Sequence, residues 1–96
     1  MKSARTTLLL ALALGFFAST THAAEPNAFE SDGVKISYIE AGEGEPVILI
    51  HGFIASAQTN WVMPGVFNAL AADYHVIALD NRGHGQSGKP HDPAAY

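Results

Sequence analysis

The residues of this chain that could take part in chemistry follow two short apolar runs, residues 47–50 and 76–79. The first run leads into a His-Gly-Phe tripeptide at 51–53, and the second leads into a polar, glycine-rich stretch at 80–88. A β-branched run that ends abruptly in such residues is typical of a buried parallel strand that emerges into a functional loop. A main-chain N–H held there can point at a developing oxyanion without reorganising. A donor in that position would suit the stabilisation of negative charge on a substrate oxygen.

The elements before the first run predict an antiparallel hairpin. Residues 28–31 can form a short strand that reaches an Asp-Gly pair at 32–33, a strong hairpin signal between two extended runs. Apolar and polar residues then alternate over 34–39, as in an antiparallel strand with one partly solvated face. A glycine-rich break at 42–46 precedes residues 47–50, which have no polar interruption and are predicted to form a buried, central strand.

Residues 54–74, between the two runs, predict a helix. They contain side chains that can cap a helix and a proline, Pro64, that suits a first turn. The apolar residues that fall on one helical face are Val66, Phe67, Leu70 and Ala71. Strand, helix and strand in this order make a right-handed crossover between parallel strands. The predicted fold class is therefore α/β, with an antiparallel hairpin followed by a parallel βαβ unit.

Composition and charge limit the partners and the location of the protein. The 96 residues carry a formal net charge of −4, and nothing in that balance indicates a nucleic-acid partner. Residues 1–23 predict a secretory signal peptide, with Lys2 and Arg5 before an apolar run at 8–18 and a small-x-Ala cleavage site at 21–23. The apolar run is shorter than the roughly 20 residues that span a bilayer. We therefore expect an exported protein, periplasmic or secreted, without a stable membrane anchor after cleavage.

The two motifs together resemble the start of an α/β-hydrolase domain of the esterase, epoxide-hydrolase, dehalogenase and lactonase type. The tripeptide at 51–53 is similar to the His-Gly-hydrophobic end of that family's third strand, and residues 80–87 are similar to its Asp-x-Arg-Gly-x-Gly-x-Ser signature. The resemblance runs from about residue 29 to the last residue, and it implies that residues 24–96 are the N-terminal portion of such a domain. It also implies that the backbone N–H of Phe53 is one donor of the oxyanion hole.

The resemblance gives the other motif residues a supporting role in the two loops. Asp80 and Arg82 are expected to form a charge-assisted pair that pins the second loop, where two glycines permit turns with positive φ. His51 is expected to support the first loop, because the family's catalytic histidine comes near the end of the domain. The residues with this expected role are His51, Gly52, Asp80, Arg82, Gly83, Gly85 and Ser87.

No residue of the chain fits the family's nucleophile position, which is a Ser, Asp or Cys in a Gly-x-nucleophile-x-Gly turn. Ser87 has Gly85 two residues before it but Lys89 two residues after it. The resemblance places the nucleophile, the acid and the catalytic histidine downstream of Tyr96. We therefore expect these residues to be an incomplete domain that is inactive alone.

The glycines of the second motif also satisfy two nucleotide-binding patterns. Gly83, Gly85 and Gly88 have dinucleotide-binding spacing, and Lys89 completes most of a phosphate-binding loop. Pro90 stands where that loop needs Ser or Thr, and a second proline follows where a helix should begin to hold phosphate. No cofactor and no metal are therefore expected.

Two functions remain open for the protein. In the first, the full-length protein is an exported hydrolase that attacks an ester, a lactone or a related small electrophile, through a Ser-His-acid triad or an Asp nucleophile. In the second, the chain is a non-catalytic truncated or degenerate hydrolase remnant, which the missing nucleophile favours and the intact motifs disfavour. The expected partner of the enzyme is a small-molecule substrate, and the sequence leaves its identity open, as it does the oligomeric state.

Overall fold

The computed structural model of the protein describes residues 24–96, and the predicted signal peptide lies outside the described residues. Strands, one short α-helix and two other helical turns make up much of this part of the chain. Within it, no helix is long and apolar enough to cross a membrane. In chain order the elements are β1 (Asn27–Ser31), β2 (Val34–Ala41), β3 (Pro46–Ile50), a π-helical turn (Gln58–Val62), α1 (Val66–Ala71), β4 (His75–Leu79) and a 3₁₀ turn (Pro93–Ala95).

The strands form one mixed sheet in the order β1-β2-β4-β3. β1 and β2 form the predicted antiparallel hairpin, whose turn residues Asp32 and Gly33 have φ of 49° and 78°. Two successive residues with positive φ suit the right-handed twist of paired strands. β4 pairs antiparallel with β2 and parallel with β3. The predicted α/β class, with a hairpin that leads into a parallel pair, is confirmed.

The hydrophobic core lies between α1 and one face of the sheet. Its buried residues are Leu49, Ala57, Phe67, Val76 and Ala78. Leu70 and Ala71, on the predicted helix face, are half-buried and pack against this cluster. Val66, also predicted for that face, is exposed because it is the first residue of α1.

β3 is not the buried, central strand that its sequence predicts. In the described sheet it lies at one edge, and β2 and β4 are the inner strands. Leu49 faces the core, whereas Ile48 and Ile50 point to the opposite face and are 59% and 63% exposed. An uninterrupted β-branched run indicates that both faces of a strand are apolar, but strand order depends on long-range pairing that the run does not encode. For the described residues, the prediction is wrong.

The helix predicted over residues 54–74 is interrupted at Gly65. The π-helical turn Gln58–Val62 ends before this glycine, whose φ of 88° places it in the left-handed region at the start of α1. A left-handed residue cannot continue an α-helix, and glycine adopts that conformation without steric cost. The Gly65 carbonyl accepts the N–H of Ala69 at 3.1 Å, so the glycine also opens the second segment. The helical region was therefore predicted in the right place, but as one helix instead of two segments.

Candidate functional site

The two motifs meet at the carboxyl ends of β3 and β4. Ile50 pairs with Leu79 in these parallel neighbours, so the chain leaves both strands side by side. Loops at the carboxyl ends of parallel strands commonly carry the functional groups of an α/β sheet. We call residues 51–54 the first loop and residues 80–88 the second loop.

His51 is buried between the two loops, and both of its ring nitrogens are bonded. Nδ1 lies 2.8 Å from the Gly52 carbonyl oxygen, and Nε2 lies 2.9 Å from the Asn81 backbone nitrogen. A carbonyl can only accept and a backbone N–H can only donate, so these partners assign a neutral ring with its proton on Nδ1. The Asn81 side chain also donates to the His51 carbonyl at 3.2 Å. In this arrangement His51 joins the two loops and has no free nitrogen with which to act as a base.

Phe53 stands at an exposed point of the first loop, with 88% of its surface accessible. Among residues 24–96, no group accepts a hydrogen bond from its backbone N–H. The preceding N–H, that of Gly52, donates to the side-chain oxygen of Asn60 at 2.8 Å and so holds the start of the loop. The Phe53 N–H is therefore an unused donor just beyond the end of β3.

Ile54 has a φ of 56°, in the left-handed region. This conformation is a genuine outlier for a β-branched residue and costs of the order of 1–3 kcal/mol. The Ile54 side chain is exposed, so burial of that side chain does not offset the strain. Strained residues of this kind cluster at ligand-binding and active sites.

Asp80 is buried at the start of the second loop and binds two backbone amides. Its Oδ1 accepts from the N–H of Ala57 at 2.8 Å, and its Oδ2 accepts from the N–H of Gln86 at 2.8 Å. Hydrogen bonds to an ionised carboxylate are stronger than bonds between neutral groups. Asp80 therefore ties the second loop to the segment that begins the π-helical turn.

The predicted pair between Asp80 and Arg82 is wrong. Arg82 instead donates to two carbonyl oxygens, that of Ser31 at 2.9 Å and that of Ala95. The physical reason is that two backbone amides already satisfy the buried carboxylate, while the guanidinium reaches the end of β1 and the 3₁₀ turn. Arg82 thus holds the second loop to its surroundings without pairing with the acid two residues before it.

Ser87 is buried, and its hydroxyl bridges β2 and the residue that follows β4. Oγ donates to the Asp80 carbonyl at 2.6 Å and accepts from the N–H of Ser37 at 2.8 Å. Gly83 and Gly85, in the same loop, have φ of 83° and 52°, positive as predicted. A Cβ on Gly85 would lie 2.3 Å from Asp80 Oδ2, so the loop closes around the carboxylate only with glycine there.

His84 was not selected from the sequence, although it lies within the second motif. Its Nε2 lies 3.3 Å from the Ile54 backbone nitrogen, and its Nδ1 lies 3.1 Å from the Arg82 carbonyl oxygen. The centroids of the His84 and His51 rings are 5.1 Å apart. The only signal in the sequence for this contact is that a histidine occupies a variable position of the motif. The spacing of the motif does not show which loop the ring will face.

The second loop lacks the structure of a nucleotide-binding loop. No helix begins at its glycines, and beyond Gly88 the described chain runs without regular structure to the 3₁₀ turn Pro93–Ala95. Lys89 donates through Nζ to the carbonyls of Gly85 and Ser87, so its ammonium is engaged within the loop itself. In the part of the chain that the structure describes, no three His, Cys, Asp or Glu side chains are grouped to hold a metal ion.

Comparison with known proteins gives partial but consistent matches. The chain is 48% identical over 58 residues to 2-hydroxy-6-oxo-6-(2'-aminophenyl)hexa-2,4-dienoic acid hydrolase of Metapseudomonas resinovorans, covering 60% of this chain and 20% of that protein. It is 43% identical over 70 residues to epoxide hydrolase A of Mycobacterium tuberculosis, covering 70% of this chain and 21% of that protein. The chain therefore spans about a fifth of the length of these relatives.

The structural comparison agrees with the sequence comparison. The crystal structure of a serine hydrolase involved in carbazole degradation, the CarC enzyme, matches with a TM-score of 0.64 and 42% sequence identity, covering 73% of this chain and 27% of that chain. A model of the family described as alpha/beta hydrolase fold matches residues 45–96, which include β3, β4 and both loops. The chain therefore belongs to the α/β-hydrolase fold family.

Proposed function

We propose that this chain is the leading part of an exported hydrolase that acts on an ester, a lactone or a related small electrophile. The observation that carries the proposal is the backbone N–H of Phe53, which is fixed next to the end of β3 and has no acceptor among residues 24–96. The relatives that it resembles bear the names of hydrolases, one for a dienoic acid and one for epoxides. Export is proposed from the charged, apolar and small-residue pattern of residues 1–23.

In the proposed mechanism, a nucleophile attacks the electrophilic carbon of the substrate and negative charge develops on the oxygen. The Phe53 N–H donates a hydrogen bond to that oxygen, and one such donor contributes about 3–4 kcal/mol to lowering the barrier. The exposed side chains of Phe53 and Ile54 provide an apolar wall beside the reacting group. For an ester or lactone, collapse of this adduct breaks the bond to the alcohol oxygen, which leaves with a proton from the catalytic histidine. Water then hydrolyses the acyl-enzyme, which releases the acid and restores the nucleophile, and no step needs a cofactor.

The remaining catalytic groups are proposed to come from outside residues 24–96. Ser87 and His51 have their hydroxyl and ring nitrogens engaged in holding the loops, which leaves both unsuited to nucleophilic or basic catalysis. The nucleophile is then a Ser or an Asp on a Gly-x-nucleophile-x-Gly turn, and this chain alone is inactive.

The test is to sequence the locus past Tyr96, express the complete reading frame and assay it with p-nitrophenyl acetate and butyrate. The proposal predicts a downstream Gly-x-Ser-x-Gly or Gly-x-Asp-x-Gly turn and ester turnover that is lost when the central residue is changed to alanine. A stop codon directly after Tyr96, with no turnover, would instead establish the non-catalytic remnant.

A further inference from the structure

His84 joins the second loop to the first loop at the residue that follows the proposed oxyanion donor. Building on the proposed function, we infer that His84 is a positioning residue, which aims the Phe53 N–H by accepting the N–H of Ile54 on its Nε2 atom.

The backbone of His84 is held firmly in the second loop. Its N–H donates to the Asn81 carbonyl at 2.9 Å, and its carbonyl accepts from the N–H of Ser87 at 3.0 Å. Gly83 and Gly85, on either side, both have positive φ. The ring therefore projects towards the first loop from a fixed base.

The ring of His84 is also held in one orientation and one tautomer. The Arg82 carbonyl can only accept, so Nδ1 carries the proton and donates to it at 3.1 Å. The Ile54 N–H can only donate, so Nε2 presents its lone pair at 3.3 Å. One neutral tautomer satisfies both partners, and the ring lies beside that of His51, whose two nitrogens are bonded as well.

The backbone on both sides of Phe53 is therefore held by a hydrogen bond to a side chain. Before it, the N–H of Gly52 is held by Asn60 at 2.8 Å, and after it, the N–H of Ile54 is held by His84. Ile54 is in a conformation that a β-branched residue adopts only when the surroundings impose it. His84 is the described side chain that bonds the Ile54 amide, so loss of its acceptor releases the first loop on one side.

The test compares His84→Phe with His84→Gln in the protein expressed from the complete reading frame. Phenylalanine keeps a ring but removes the acceptor, whereas the Oε1 atom of glutamine can replace Nε2. Because a small displacement of a catalytic group is costly, we expect His84→Phe to lower kcat by roughly tenfold to 100-fold with KM changed by less than about threefold. We expect His84→Gln to recover most of the kcat. His91→Gln, at an exposed histidine outside both loops, serves as the control and keeps the wild-type kcat.

Amide hydrogen exchange at Ile54, measured by NMR on the same folded proteins, tests the contact without relying on turnover. Protection of this amide should fall in His84→Phe and persist in His84→Gln. Equal exchange in the wild type and His84→Phe overturns the inference, as does a wild-type kcat in His84→Phe or an equal loss in both variants. An inactive wild type whose Ile54 amide loses protection in His84→Phe counts against the proposed hydrolase and leaves the positioning contact supported.

Discussion

At the scale of single residues, the buried polar side chains of this site bind the backbone, and the proposed chemistry falls to a main-chain group. Asp80 binds two amides, Ser87 binds an amide and a carbonyl, and His51 does the same. Buried polar groups are costly unless they are hydrogen-bonded, so each of these side chains is committed to the shape of the loops. The Phe53 N–H, by contrast, has no acceptor among residues 24–96.

We predict that Asp80→Asn destabilises the full-length protein by about 2–4 kcal/mol, because an amide group cannot offer acceptors to both the Ala57 and Gln86 N–H groups. The free energy of unfolding in urea measures the effect. Asp73→Asn, at an exposed acid near the start of β4, is the matched control and should change stability by less than about 0.5 kcal/mol. Equal stability of the two variants would show that the Asp80 carboxylate does not hold the loop.

At the scale of elements, the sequence predicted the hairpin turn and the strands correctly, because both depend mainly on neighbouring residues. The Asp32-Gly33 pair marked the hairpin, and two apolar runs marked strands whose carboxyl ends bring the motifs together. The position of β3 at the edge of the described sheet depends on long-range pairing. The Asp80–Arg82 pair was predicted from the resemblance to the family's loop signature, but the sequence does not show that two backbone amides bind the carboxylate instead. The contact from His84 could not be predicted. The direction of its ring depends on how two turns with positive φ orient the loop, and the sequence pattern does not show that orientation.

Gly65, between the two helical segments, and Gly85, in the second loop, allow a matched test of what a Cβ atom costs at each position. Both have positive φ, but a Cβ at Gly65 meets open space, whereas a Cβ at Gly85 would lie 2.3 Å from Asp80 Oδ2. Gly65→Ala should therefore cost only the backbone strain, about 1–2 kcal/mol. Gly85→Ala should cost more than twice as much, because the carboxylate and its two bonds must move. The stability of both variants is measured by thermal unfolding. An equal loss of stability would show that the close contact between residue 85 and the Asp80 carboxylate adds no cost.

At the scale of the whole molecule, the described sheet has one covered face and one open face. α1 packs on the side of Leu49 and Val76, while Phe29, Ile48 and Ile50 are exposed on the other side. Exposed apolar residues on one face and an unpaired strand edge favour association between chains.

We predict that residues 24–96 expressed alone self-associate, and that Ile48→Thr with Ile50→Thr reduces this association while keeping the β propensity of the strand. Sedimentation velocity measures the size distribution. Met63→Thr, which removes a comparably exposed apolar side chain outside the sheet, should leave the association unchanged. A monomeric parent segment, or an equal effect of both changes, would show that the open face is not the cause.

The role of the Phe53 N–H is tested most directly by replacing that amide with an ester oxygen, through phenyllactic acid at position 53 of the full-length protein. The N–H has no acceptor among residues 24–96, so the fold should be retained. We predict that kcat for p-nitrophenyl acetate falls by about 10²–10³ with little change in KM. Phe53→Leu, which keeps the N–H, should retain kcat within about threefold of the wild type. An ester variant that turns over substrate at the wild-type rate would contradict the assignment of this group as the oxyanion donor.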